Sequence, residues 1–346
     1  MKKLACSKKS AYLITDRITR RYLTEIDVQE GVLLCLESKT FYLSDARYFT
    51  LLKEKLKGLD IVPVLYSGGE SVKQVLKDNK IKNLYLDFSI TTVEEFNKYK
   101  KLGFKILNGA GAISEAVAVK DERELGYIQK ACEIAERAVK EAFSFIKKGV
   151  TELEVKEFIV SKMVSLGAEG ESFDTIVAFG KNAAVPHHET GMDKLDDNQV
   201  VLIDTGAKVN GYSSDITRTA FFGTPSERFI ESYNSVLKAN LLAESKIYSG
   251  ISTVDADNIA RGYLKEKGLD KYFTHSLGHG IGQNIHEYPY LSPKRQATLK
   301  DDMVFSIEPG VYFEGEFGIR IEDTVCLKGG KVVRLFTDDK ELICIK

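Results

Sequence analysis

Short apolar runs alternate with short amphipathic ones through the first third of the chain. Strands are predicted at 12–15, 32–37, 40–43, 61–65, 84–88 and 104–107, and helices at 46–57, 72–78 and 92–101. Alternating elements of these lengths predict a small α/β domain. From Asp121 the period changes. Leu125, Ile128, Cys132, Ala135, Val139, Ala142, Phe143 and Ile146 recur at helical spacing, and Gly149 is expected to end that helix. Thr151 with Glu154 then forms a capping-box pattern for a second helix running to about Leu166. The domain boundary is therefore expected between 116 and 120, giving domains at 1–117 and 118–346.

The second domain repeats its own plan. Gly149-Val150-Thr151 opens a stretch that closes at Gly167, and Gly250-Ile251-Ser252 opens one that closes at Gly268. Ser252 has Asp255 where Thr151 has Glu154. A long helix precedes each copy, at 121–147 and at roughly 226–248. Chance likeness of two amphipathic helices is one explanation; an internal duplication with a site at its seam is the other.

Composition narrows the partners. With 49 basic and 50 acidic residues the net charge is -1, which gives no reason to expect nucleic acid or an anionic membrane. No run of 18 apolar residues predicts a membrane span. The opening Met1–Cys6 hints at a lipoprotein signal, but only Leu4 and Ala5 are apolar there, so none is expected. The five cysteines are scattered and unpaired in spacing, which reads as free thiols in a cytoplasmic protein. Gly68-Gly69 reads as a turn rather than a phosphate loop.

Chemistry concentrates in the second domain. Residues 200–209 and 212–222 are rich in strand formers and flank Asn210-Gly211, the strongest short hairpin signal. A two-residue turn puts Asp204 opposite Thr217, so Asp204 and Asp215 share a face as diagonal neighbours. Asp204 ends the apolar run 200–203, where a carboxylate is costly without compensation. Two adjacent carboxylates repel and call for a cation between them. Taken singly, each Asp could equally be a turn or surface residue.

All five histidines lie between His187 and His286. His279 sits among Gly278, Gly280 and Gly282, which could let backbone pass close to a bound group. An apolar run ends in Glu308-Pro309, and a turn near Gly315 would set Glu308 opposite Glu322, with Arg320 on the same face as Glu322. Four carboxylates and one imidazole suit two divalent ions, with Mn²⁺ ranked ahead of Co²⁺, Zn²⁺ and Fe²⁺.

The ordered set Asp204, Asp215, His279, Glu308, Glu322 resembles the ligand set of the pita-bread metallopeptidases, which include methionine aminopeptidase, aminopeptidase P, prolidase and creatinase. The resemblance implies an α/β (α+β) chain: an amino-terminal α/β domain, then a duplicated catalytic domain with a curved antiparallel sheet. The segments Ala11 to Asp16 and Arg21 to Thr24, the strand Gly318 to Asp323 with Arg320, and His187, His275 and His286 are similar to the proline-directed branch. That branch implies an Xaa-Pro aminopeptidase, with Xaa-Pro dipeptidase (prolidase) as the alternative. Methionine aminopeptidase and a non-enzymatic peptide-binding module rank lower. It also implies short proline-containing peptides as partners and a homodimer. Glu308 is then expected to move a proton from the attacking water to the leaving proline nitrogen. His187 and His286 are expected to bond the substrate carbonyl and oxyanion. His275 would support the ligand shell, and Arg320 would orient an acidic ligand or relay protons. His188 is expected to point elsewhere from an extended strand.

Overall fold

In the computed structural model, which describes residues 2 and 4–346, the chain divides into two compact units, Met1–Val117 and Ala118–Lys346. Met1 and Lys3, part of the opening segment weighed above as a signal, lie outside the described residues.

The apolar runs of the first unit form β1 (Ser10–Ile14), β2 (Val32–Leu36), β3 (Thr40–Ser44), β4 (Ile61–Leu65), β5 (Asn83–Leu86) and β6 (Lys105–Asn108). They build one mixed sheet in the order β4-β3-β2-β1-β5-β6. The helices are α1 (Arg17–Thr24), α2 (Ala46–Lys55), α3 (Gly69–Asp78), α4 (Val93–Lys100) and α5 (Ala110–Ala118). Sequence reading omits α1 and α5. The first has only eight residues, three of them arginine, and is capped by Asp16, which accepts from Thr19 N. Gly68, at φ 96°, is the turn before α3.

In the second unit two helical hairpins repeat. They are α6 (Glu122–Phe145) with α7 (Glu152–Ser165), and α8 (Glu227–Lys246) with α9 (Thr253–Glu266). Thr151 and Glu154 make both bonds of the capping box, and Ser252 accepts from Asp255 N in the second copy. Such a cap contributes about 1 kcal/mol. Helix α6 ends before Gly149, because Ile146 already turns to extended backbone at ψ 130°.

The strands are β7 (Gly170–Glu171), β8 (Ile176–Phe179), β9 (Gln199–Thr205), β10 (Ala207–Val209), β11 (Tyr212–Ser213), β12 (Ile216–Phe222), β13 (Gly278–Gly280), β14 (Glu287–Leu291), β15 (Val304–Ile307), β16 (Gly310–Phe313), β17 (Phe317–Arg320), β18 (Glu322–Lys328), β19 (Lys331–Arg334) and β20 (Ile343–Ile345). The main sheet runs β14-β13-β15-β18-β12-β9-β8, antiparallel throughout, with β19 added on β18 and β20 parallel to β12. Its apolar face is packed by α8 and α9, through Phe229, Tyr233, Val236, Ala256, Ala260 and Leu264. Strand β9 is buried along nearly its whole length, which is why it reads as a continuous apolar run.

Two registers matter for the site. Asp204 pairs with Thr217, as the Asn-Gly turn predicts. Thr217 also pairs with Glu322 across β12 and β18. In the second half Ile307 pairs with Asp323, and Gly310 pairs with Arg320. The frame is the same on both sides of Pro309, so Glu308 falls opposite Glu322 despite the missing proline N–H.

Candidate metal centre

Asp204 and Asp215 come from the β9–β12 hairpin, and Glu308 and Glu322 from the β15–β18 pair. His279 is carried by β13. These five side chains, with His187, His275, His286 and Arg320, line one cavity of about 280 Å³. Single ligating atoms of Asp215, His279 and Glu322 all lie within 4.8 Å of one another. His279 Nε2 lies 3.6 Å from Asp215 Oδ2 and 3.5 Å from Glu308 Oε1.

The glycines around His279 have a use different from the one expected. A Cβ on Gly278 would sit 2.0 Å from Ser306 O, and one on Gly280 would sit 2.4 Å from Tyr288 O. They let strand backbones approach each other rather than a bound group. His279 N donates to Ser306 Oγ, which donates in turn to Glu308 Oε1 at 3.1 Å. His279 Nδ1 donates to Gly280 O, so Nε2 faces the carboxylates with a free lone pair.

Charge in the cavity is acidic and buried. Burial, then the neighbouring Glu322, Asp204 and Glu308, push Asp215 well above the usual carboxylate range. Glu322 is raised by burial and then by Glu308 and Asp204. Burial also lifts Glu308 to about 8, against the pull of Arg320. His279 and His275 are pushed down by burial, to about 4 and about 3, so both imidazoles are neutral. Among the described residues, Asp204 Oδ1 and Asp215 Oδ1 are buried without a hydrogen-bond partner. Such orphaned, mutually repelling oxygens fit a divalent cation, which removes both penalties at once.

Arg320 supplies partial relief. Its Nη2 donates to Asp204 Oδ2 at 2.6 Å and its Nε donates to Thr217 Oγ1 at 3.0 Å. Thr217 Oγ1 donates to Glu322 Oε2 at 2.6 Å. Two residues that the sequence did not assign to the site belong here. Thr217 had a visible signal, because it faces Asp204 in the hairpin register. Tyr312 had none. Its hydroxyl accepts from Arg320 Nη1 at 2.8 Å and donates to His275 Nε2 at 2.9 Å, while His275 Nδ1 donates to Ser276 O. His188 does point away from the cavity, but from a turn after Pro186 rather than from a strand. Its Nε2 donates to Glu152 Oε2 at 2.7 Å.

Residues 126–328 match the model of metallopeptidase family M24, and residues 2–116 match the creatinase/prolidase N-terminal domain. The chain belongs to metallopeptidase family M24. It is 36% identical over 309 residues to the Xaa-Pro dipeptidase of Pyrococcus furiosus, covering 89% of this chain and 87% of that protein. Among solved structures, an Xaa-Pro dipeptidase from Bacillus anthracis superposes with a TM-score of 0.91 at 33% identity, covering 96% of this chain and 94% of that one. An X-Pro aminopeptidase from Thermotoga maritima gives 0.86 at 32%, covering 97% and 95%. Family membership makes the chain a metal-dependent hydrolase, and the orphaned carboxylate oxygens are where divalent ions fit.

Proposed function

We propose that this chain hydrolyses the bond between an amino-terminal residue and proline, with Xaa-Pro dipeptides as its main substrates. One observation supports this above others. The cavity gathers four carboxylates, four imidazoles and one guanidinium in a chain similar along nearly its whole length to Xaa-Pro dipeptidases. A cavity of about 280 Å³ lies just below the usual range for ligand sites, roughly 300–1,000 Å³, which suits a dipeptide. This reverses the order expected from sequence, where the aminopeptidase ranked first. Cleavage of longer Xaa-Pro peptides stays as a second reading because of the likeness to the Thermotoga X-Pro aminopeptidase.

Asp204, Asp215, His279, Glu308 and Glu322 would hold two divalent ions, with Mn²⁺ favoured by the oxygen-rich donor set. When bound, the ions supply an acidified water and a polarised carbonyl. Glu308 accepts a proton and returns it to the proline nitrogen. His187 and His286 bond the substrate's carbonyl oxygen and the developing oxyanion. Arg320 holds Asp204, and Tyr312 fixes the tautomer of His275 by donating to Nε2. The domain assignment 1–117 and 118–346, the homodimer and the cytoplasmic location belong to the same proposal. Sedimentation and cell fractionation check the last two.

The test is hydrolysis of one Xaa-Pro dipeptide and one Xaa-Pro-Yaa tripeptide after exhaustive chelation and reloading with Mn²⁺, Co²⁺ or Zn²⁺. Dipeptide cleavage restored by metal is the expected result. Cleavage that persists without metal, or a metal-loaded protein inert to both peptides, would sink the reading.

A further inference from the structure

Two buried carboxylates outside the cavity hold the segments that present His187 and His275. Glu152 is the first residue of α7 and has no exposed surface. Its Oε1 accepts from Phe179 N and from Asn182 Nδ2, both at 2.9 Å. Its Oε2 accepts from His188 Nε2 at 2.7 Å and from Gly191 N at 3.1 Å. A carboxylate offers about four lone-pair sites, so Glu152 is saturated. Its donors bracket Pro186-His187, and two of them are backbone amides on either side of that turn. They therefore set the span of the segment as well as its place. Among the described residues, no hydrogen bond holds the His187 ring itself. The position of His187 in the cavity thus depends on its backbone.

The second half has a counterpart one helical turn further along α9. Asp257, also without exposed surface, accepts from Leu277 N at 2.9 Å and from Arg261 Nε and Nη2 at 2.7 and 3.0 Å. Arg261 in turn donates to Phe273 O and to His275 O, and its guanidinium lies 4.2 Å from the Phe273 ring centre. Residues 273–277, with His275 at their middle, are thereby tied to α9 as residues 179–191 are tied to α7.

We propose that Glu152 and Asp257 are positioning residues, Glu152 acting through His187 and Asp257 through His275. The alternative is that they only satisfy buried backbone. Helix α7 does not need Glu152 for its start, because Thr151 and Glu154 already complete the capping box. The proposal rests on reading the cavity as the peptidase site.

Glu152→Gln keeps the shape but turns an –NH₂ toward two donors. It lowers kcat/KM for an Xaa-Pro dipeptide about 10–100-fold, the size expected for a supporting group around a site. Combined with His187→Ala, the double variant is within about threefold of His187→Ala alone, because one function is lost once. Combined with His275→Ala, the losses multiply. Multiplying losses in both pairs would overturn the proposal, as would loss of bound metal in Glu152→Gln. A second measurement needs no turnover. Hydrogen exchange in Glu152→Gln rises across 179–191 and is unchanged across 273–277; no change in the first segment also overturns it. If Glu152→Gln does not fold, His188→Ala and His188→Gln replace it. The donor-retaining Gln recovers the exchange protection and Ala does not; equal behaviour of the two is the contrary result. A wild-type protein that cleaves no Xaa-Pro peptide defeats the proposed function, and the exchange experiment still decides the clamp.

Discussion

The two halves of the second unit present their carboxylates by the same plan and with different chemistry. In each, a buried strand ends in an acid, the chain turns, and a second acid stands at the entrance to the next strand. The first half offers two aspartates set diagonally on a hairpin, each with a buried oxygen that no donor among the described residues reaches. The second half offers two glutamates in opposite register, and protein hydroxyls already serve them: Ser306 to Glu308 and Thr217 to Glu322. Beside Asp204 the neighbouring strand presents Ile176, while the second half adds His279 and Arg320. A duplicated scaffold thus supplies matched positions. Side-chain length, one imidazole and one guanidinium then make the halves unequal, and Arg320 reaches from the second half to neutralise Asp204 in the first.

If the first half is the part left waiting for a cation, Asp215→Asn has the largest effect. Metal is lost, and with it several kcal/mol of transition-state stabilisation, more than about 10³ in kcat/KM. The metal-free variant nevertheless melts higher at pH 8 than the metal-free parent, because a buried, repelled carboxylate is gone. Metal analysis and calorimetry together check this; a lower melting temperature contradicts the account of strain in the first half.

Glu308→Gln probes the second half. Metal content stays near the parent's, while kcat falls about 10²–10⁴-fold, the usual contribution of a general acid–base group. Persistence of near-parental turnover with metal bound would remove Glu308 from the proton path.

Tyr312→Phe cuts the bridge between the Arg320 and His275 sides. It leaves one N–H of Arg320 Nη1, whose other bond goes to Pro186 O, and His275 Nε2 without partners in a buried place, costing about 1–3 kcal/mol in denaturant unfolding. An unchanged unfolding midpoint would show that the bridge holds nothing.

The pH dependence probes the same carboxylates without a substitution. In metal-free protein Glu308 is raised to about 8, so its protonated form stabilises the fold below about pH 4, and that stability is lost as pH rises toward 8. Ligand deprotonation also strengthens metal binding over this range. The melting-temperature gap between loaded and chelated protein therefore widens from pH 5 to pH 8. A constant gap rules out these carboxylates as the source.

Much of the site was legible before any coordinates. The Asn210-Gly211 turn sets the pairing of Asp204 with Thr217 by itself, since a two-residue turn permits one register. Gly315 does the same for Glu308 and Glu322, and the register survives Pro309 because that residue lies between the ladders. The capping residues Thr151 and Ser252 mark the repeated helices locally. Helices α1 and α5 were not legible: α1 has only eight residues, three of them arginine, and α5 has little amphipathic pattern.

Local periodicity and turn chemistry depend on neighbours along the chain, so the sequence by itself determined the longer elements, the hairpin registers and the acids at their ends. Partners remote in sequence are chosen by packing. Only the tertiary structure decided that Arg320 meets Asp204, that Tyr312 joins Arg320 to His275, and that His188 turns away to Glu152. Those contacts span loops whose closure no local signal encodes. Their cost is met when the sheet curls and buries the charges that the cavity must then satisfy.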